Sequence, residues 1–259
     1  MRSDASDDPA HSSRYALRMP GASDRREFLR TVGLGAAAAC LPGLLAACTT
    51  SSATSPATTP PPDSTPTAPP QSPATITLDF SSDYGVLNLA YLLEQLAAAF
   101  YTQVKTAPST TLSAHEQDVL AQISVHETIH MTFFKTALGS HGIPQATLNF
   151  AGVNFKDRVS VLTAAKTLED LGVGACNGAA QFLQSATNLT LVGKIVSVEA
   201  RHAAAVRDLL APATSAFAGS DVIDANGFDR ALLPSDVLTV IAPFVTNKIV
   251  LTNVPTTTA

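Results

Sequence analysis

Four stretches of this chain each place one glutamate in the middle of an apolar helical stripe. Between about residues 83 and 210, apolar side chains recur every three to four positions, which is typical of amphipathic helices. The glutamates on the apolar side of this pattern are Glu94, Glu127, Glu169 and Glu199. Burial of an unpaired carboxylate is costly even after the surroundings relax. The four stretches can therefore form one core only if positive charge compensates these groups.

The periodicity predicts an all-α fold, a four-helix bundle. The predicted helices run from about Asp83 to Val104, Ser113 to Gly139, Asp157 to Ser185 and Thr190 to Leu210. Ser113 and Glu116 form a capping-box pattern at the start of the second helix. The segment 139–156 is long enough to cross from one end of a bundle to the other, which predicts two hairpins joined by one long crossover. After residue 212 we expect a short irregular extension whose tail, 249–254, either pairs as a strand or lies across the bundle.

Two of the helices add a histidine three residues after the glutamate, in Glu127-x-x-His130 and Glu199-x-x-His202. Positions i and i+3 lie on one helix face, so both side chains can reach one ion. One Glu on each of two helices and Glu-x-x-His on each of the other two is the ligand pattern of dinuclear carboxylate bundles. Oxygen ligands with one imidazole per metal suit iron or manganese better than copper or structural zinc. The predicted ligands of two such ions are Glu94, Glu127, His130, Glu169, Glu199 and His202.

These motifs resemble the ferritin-like superfamily, in particular the bacterial ferritin-like domain shared with desiccation-related proteins. The matching segments are L-x-x-A-Y-L-L-E-Q-L-A-A-A-F-Y around Glu94, H-E-T-I-H around Glu127, L-E-D-L-G-V around Glu169 and V-E-A-R-H-A-A-A-V-R around Glu199. The resemblance implies a dinuclear iron or manganese protein that handles peroxide, O₂ or metal in oxidative or desiccation stress. A cage-forming fifth helix is not evident, so a storage shell is not expected.

The N-terminal region carries the pattern of an export signal. Arg25 and Arg26 precede an uncharged run from Thr31 to Ala47, and this order resembles a twin-arginine signal. The run ends in L-A-A-C, which predicts lipidation of Cys48; an ordinary secretory signal with a chance cysteine is the alternative. We expect a signal peptide over 1–47, a disordered Ser/Thr/Pro/Ala linker over 48–75, the bundle over 76–212 and the extension over 213–259. The predicted product is a bacterial lipoprotein, anchored in a membrane and facing the periplasm or the cell exterior.

Composition limits the other partners. The chain has 46% hydrophobic and 14% charged residues and a formal net charge of −5. No basic cluster follows Arg30, which argues against nucleic acid as a partner. Three cysteines, two of them in or beside the N-terminal apolar run, do not form a disulfide framework. The oligomeric state is left open.

Two rival interpretations use the same residues. His126 to His130 also matches H-E-x-x-H, the helix of zinc proteases, although Phe133 and Thr136 stand where the long form of that motif needs Gly and His. In the other interpretation, the bundle binds no metal.

His126 is expected to lie in the core or behind a ligand, Tyr101 and Cys176 in the core, and Glu116 on the surface. A metal site itself allows an oxidoreductase, possibly acting on O₂ or peroxide, or a structural or metal-sequestering protein.

Overall fold

The amphipathic stretches form four long α-helices. The computed structural model of the protein describes residues 73–107 and 111–254. Its helices are α1 (Asp83–Thr106), α2 (Ala114–Leu138), α3 (Arg158–Ala180) and α4 (Ala186–Leu210). Helix α1 packs on α2 and α3, and α3 packs on α4, whereas α2 and α4 have less contact with each other. The predicted all-α four-helix bundle is confirmed.

The connection between α2 and α3 crosses the length of the bundle along α1. Near its start, the backbone N–H of Ile143 donates to the side chain of Asn88 at 2.8 Å. Two turns further along α1, Gln95 accepts the N–H of Ala146, also at 2.8 Å. At its far end, the carbonyl of Lys156 accepts a hydrogen bond from Thr111, just before α2 begins. This path is the predicted long crossover.

The start of α2 shows the predicted capping box, but one prediction about it is wrong. The backbone N–H of Ser113 donates to Glu116 at 2.7 Å, and the N–H of Glu116 donates to the Ser113 hydroxyl at 3.3 Å. Glu116 was expected on the surface, yet it is only 6% exposed. Its other carboxylate oxygen accepts a 2.6 Å hydrogen bond from Arg158, the first residue of α3. Glu116 is therefore buried because Arg158, 42 residues later in the chain, pairs with it, although the pattern of its own helix places it on the surface.

The junction of α3 and α4 lies earlier in the chain than the periodicity predicts. The third helix was expected to reach Ser185 and the fourth to begin at Thr190, but α3 ends and α4 begins earlier. The carboxylate of Asp83, at the start of α1, accepts the backbone N–H groups of Gln184 and Ser185 and the side-chain amide of Asn188. Ser185 then caps α4 by accepting the N–H of Asn188. Asp83, which is distant in sequence, thus stabilises the turn between α3 and α4.

The C-terminal extension contains regular elements. Helix α5 (Pro234–Ile241) buries Val237 and Ile241 in the main core, and strand β2 (Ile249–Thr252) pairs in parallel with β1 (Ile76–Asp79). Of the two predicted placements of the tail, pairing as a strand is therefore the one observed. The two strands close a small sheet that joins both ends of the described chain.

A buried arginine on α4 fastens the extension to the bundle. Arg207 is 3% exposed and donates two hydrogen bonds to Asp170 on α3, at 2.7 and 2.8 Å. It donates two more to Asp221, at 3.1 and 2.7 Å, and another to the carbonyl of Ala216. The guanidinium holds the pKa of Asp221 down to about 2. Because its hydrogen bonds are all made, this charge is tolerated inside the protein.

Several sequence-based predictions lie outside the described residues. These are the signal peptide over 1–47, the lipidation site Cys48 and nearly all of the linker over 48–75. None of the helices that the structure describes combines the length and the apolarity needed to span a membrane.

Replacement of Arg207 by methionine should destabilise the protein. Arg207→Met removes the four hydrogen bonds to Asp170 and Asp221 and leaves these carboxylates with Lys166 alone. We therefore expect the free energy of unfolding to fall by about 2–4 kcal/mol. Chemical denaturation followed by circular dichroism measures this change. Arg201→Met, at an exposed position of the same helix, is the matched control and should change stability little. Equal stability of the two variants would contradict this role of Arg207.

Candidate metal centre

The six predicted ligands come together inside the bundle. Their ligand atoms form two overlapping groups, in each of which all atoms lie within 4.8 Å of one another. The His130 group consists of Glu94, Glu127, His130 and Glu199, and the His202 group consists of Glu127, Glu169, Glu199 and His202. Among the described residues these are the groups of His, Cys, Asp and Glu with this geometry. Acidic side chains from all four helices thus converge on one place.

Two glutamates belong to both groups. Glu127 from α2 and Glu199 from α4 are shared, whereas Glu94 from α1 and Glu169 from α3 belong to one group each. The sequence pattern alone does not show which of the four glutamates lie between the two groups. The geometry gives the shared position to the glutamates of the two Glu-x-x-His pairs.

Each imidazole faces carboxylates from the opposite helix as well as its own. The Nδ1 atom of His130 lies 2.7 Å from Glu199 Oε1 and 3.7 Å from Glu94 Oε2. The Nδ1 atom of His202 lies 3.0 Å from Glu127 Oε1, 3.5 Å from Glu169 Oε2 and 3.7 Å from Glu199 Oε2. The histidines of α2 and α4 thus contact carboxylates of the opposite helix, and the cluster joins these two helices.

These atoms fit a metal better than they fit one another. Seven buried side-chain nitrogen or oxygen atoms of the described residues have no hydrogen-bond partner, and six of them come one from each of the six clustered residues. Several are close together, as the 2.7 and 3.0 Å contacts show, but they are not aligned as hydrogen bonds. Orphaned buried polar atoms are rare and costly. Oxygen and imidazole nitrogen atoms aimed at a common centre are what a metal ion would satisfy.

Without a nearby cation, burial disfavours the charged form of the carboxylates. Burial, followed by the neighbouring Glu199 and Glu127, raises the pKa of Glu94 well above its usual range. Burial also raises the pKa of Glu169 to about 8, although His202 partly offsets the effect. Two described cations of α3 and α4, Lys166 and Arg207, pair with Asp170 and Asp221 instead.

Among the described residues of the cluster, His202 holds a positive charge when no metal is bound. Burial alone would lower the pKa of His202, but Glu127, Glu169 and Glu199 outweigh it and raise the pKa to about 11. Burial likewise disfavours the charged form of Glu199, yet His130 and His202 bring its pKa down to about 2. Such pairing leaves the cluster with more carboxylates than imidazoles.

Tyr101 and Cys176 lie in the core, as predicted, and both also touch the cluster. The Tyr101 hydroxyl donates a short hydrogen bond to Glu169 Oε1, a contact between α1 and α3 that sequence spacing does not reveal. Tyr101 is 1% exposed, and burial raises its pKa well above the usual range, so it remains a neutral donor. Burial and the charges of Glu199 and Glu127 raise the pKa of Cys176 to about 12, which keeps it a thiol.

The space beside the carboxylates is small. A cavity of about 20 Å³ lies among Glu94, Glu127, Glu169 and Glu199, with Gly172 on its wall. A β-carbon at Gly172 would come within 3.6 Å of Glu199, so the glycine helps keep this space open. The volume suits a molecule about the size of water. A larger cavity of about 380 Å³ lies between α3, α4 and the extension and is lined by none of the six residues.

His126 lies outside both groups, which argues against the zinc-protease interpretation. A protease of that type would aim the two histidines of H-E-x-x-H at one ion. Instead, His126 is exposed and its Nδ1 lies 2.9 Å from Nε2 of His202, on the side of that ring away from the carboxylates. The expectation that His126 stands behind a ligand agrees with this contact.

Without metal, the protein should lose stability as the pH rises. Glu169 and His202 hold their protons more tightly in the folded than in the unfolded state, so the folded state binds more protons over the pH range between. The stability that the Glu169 proton contributes is lost between pH 4.5, the usual pKa of Glu, and about pH 8. The stability that the His202 proton contributes is lost between pH 6.5 and about pH 11. Thermal melts in chelator should therefore give a lower Tm at about pH 9 than at about pH 5.5.

Glu169→Gln should reduce this fall in Tm, because one of the titrating groups is removed. Saturating Mn²⁺ should oppose it, since metal competes with protons for the same atoms. A Tm in chelator that stays constant or rises over this range would contradict the strained, proton-holding cluster described here.

Comparison with known proteins agrees with the fold. The family model described as the ferritin-like domain matches residues 82–212, about half of the 259-residue chain. The matched range contains all four long helices and the six clustered residues. A search of the curated proteins finds no match. The chain therefore belongs to the ferritin-like domain family.

Proposed function

We propose that this protein binds two divalent metal ions, iron or manganese, in the bundle core. One ion would be held by the His130 group and the other by the His202 group, with Glu127 and Glu199 shared between them. The observation that carries the proposal is the set of six buried ligand atoms, one from each residue, that have no hydrogen-bond partner. Two divalent cations would also balance the four carboxylates.

The donor set favours iron or manganese. It consists of carboxylate oxygens and imidazole nitrogens, and the nearby sulfur of Cys176 is outside both groups. Hard oxygen ligands with one nitrogen per ion suit these metals, whereas zinc and copper sites usually carry more nitrogen or sulfur. Family membership supports the same choice, since ferritin-like bundles use this ligand pattern.

The size of the cavity favours a small oxidant over an organic substrate. Bound iron or manganese would supply the two electrons that, with two protons, reduce a peroxide to two water molecules. Two residues of the chain shape the space for the oxidant: Tyr101 orients Glu169, and Gly172 leaves room beside Glu199. The cavity of about 20 Å³ admits O₂ or peroxide far more readily than a larger molecule. We therefore infer an oxidoreductase acting on O₂ or peroxide.

A second candidate function is structural or metal-sequestering. Helices α2 and α4 have less contact with each other than the other neighbouring pairs, and residues of the cluster join them, so two ions would cross-link these two helices. In that case metal would raise the stability of the protein strongly without any turnover.

Export and anchoring are part of the proposal and rest on the N-terminal motifs alone. We propose a twin-arginine signal over 1–47, lipidation at Cys48 and a spacer over 48–75 that holds the bundle outside the cytoplasm. A role in oxidative or desiccation stress follows from the resemblance of the motifs to desiccation-related proteins. Labelling with a palmitate analogue in cells, lost in Cys48→Ala, tests the anchor.

Metal analysis tests the binding proposal. Metal-free full-length protein, incubated with Mn²⁺ or Fe²⁺ and desalted, should retain about two ions per chain. Glu127→Gln removes a shared ligand and should retain less than one ion. Glu116→Gln is the matched control, because Glu116 is a buried glutamate of the same helix outside both groups. Equal retention by the two variants would refute the site.

The rate of iron oxidation separates the two candidate functions. If the protein is an enzyme, Fe²⁺ bound to it should be oxidised by peroxide faster than Fe²⁺ mixed with Glu127→Gln. Equal rates, together with a large rise of Tm on metal binding, would support the structural role and refute the enzymatic one.

A further inference from the structure

His126 is the one residue of the H-E-x-x-H motif that the proposed site does not use. It is exposed on α2 and directly precedes Glu127 in the sequence. Its ring lies edge to edge with that of His202, with the ring centres 5.1 Å apart and the planes at 12° to each other. The Nδ1 atom of His126 lies 2.9 Å from Nε2 of His202. This distance is that of a hydrogen bond.

The two nitrogens of His202 face different surroundings. Its Nδ1 points at Glu127, Glu169 and Glu199, where the metal would lie, and its Nε2 points at His126. A neutral imidazole carries one N–H, so an Nδ1 that binds metal requires the proton on Nε2. That N–H then needs an acceptor, and Nδ1 of His126 is placed to be one.

We propose that His126 is a positioning residue that accepts the Nε2–H of His202 and so presents the Nδ1 lone pair of His202 to the metal. This inference rests on the proposed function, because it assumes that His202 is a ligand. A hydrogen bond from the far nitrogen of a metal-binding histidine fixes both the tautomer and the orientation of the ring. Because His126 is exposed, solvent is available to its other nitrogen, Nε2, as an acceptor.

The two proposed metal positions then differ. His130 has a nitrogen facing Glu199 and Glu94, but no described residue forms a hydrogen bond with its other nitrogen. The His202 group has two supports, His126 behind the imidazole and Tyr101 behind Glu169. The ion in the His202 group is therefore the more tightly held of the two.

The contact also closes the bundle where it is least packed. His126 lies on α2 and His202 on α4, and these helices have less contact than the other neighbouring pairs. The contact between the two imidazoles therefore joins α2 and α4 beside the shared carboxylates.

Titration of metal into variants of the full-length, metal-free protein tests the inference. Isothermal titration with Mn²⁺, and with Co²⁺ as a coloured substitute, reports the two affinities separately without measuring activity. His126→Leu keeps a side chain of similar length but has no acceptor, and it should weaken one of the two sites by about 10–100-fold. His126→Asn should restore most of the loss, because its Oδ1 can stand close to the position of Nδ1.

His115→Leu is the matched control for the same substitution. His115 is an exposed histidine on the same helix, about three turns before His126, and should leave both affinities unchanged. The Co²⁺ absorption spectrum should change for one ion in His126→Leu and for neither in His115→Leu. Thermal melts of the metal-free variants show that each is folded.

The outcomes separate this inference from the proposed function. If the unaltered protein binds no metal, the proposed function fails and this inference fails with it. If the unaltered protein binds two ions and His126→Leu binds them equally well, only the role of His126 is overturned. Equal weakening in His126→Leu and His126→Asn would also overturn it, since the acceptor would then not be what matters.

Discussion

The structure depends on one electrostatic constraint, the meeting of four carboxylates and two imidazoles in the interior of the bundle. Charges attract and repel far more strongly there than in solvent. The carboxylates Glu94 and Glu169 respond with raised pKa values, and the imidazole of His202 responds by holding its proton. These responses are the signs of a site that is costly without a cation and favourable with one.

The remainder of the fold keeps that site in place. The crossover binds along α1 through Asn88 and Gln95, and the carboxylate of Asp83 holds the turn between α3 and α4. Asp170 follows Glu169 in α3 and receives the buried Arg207, which fastens the extension. Polar anchors at the ends and sides of the helices thus restrict the directions in which the central glutamates can point.

The two halves of the cluster are chemically alike but not equally supported. Both contain Glu127 and Glu199, and each adds one further glutamate and one histidine. Around His202, a second histidine and a buried tyrosine contact residues of the cluster, whereas the side chain of His130 is 12% exposed. A pair of ions in such a site would have one well-anchored member and one member closer to solvent.

The helical periods, the capping box at Ser113 and the six clustered residues could be predicted from the sequence, because all depend on spacing within a single helix. Tertiary structure alone decided which glutamates are shared, why Glu116 is buried and where α4 begins. It also decided that Tyr101 contacts Glu169 and His126 contacts His202. Each of these depends on atoms from different helices meeting in space, and spacing along one helix carries no information about its neighbours.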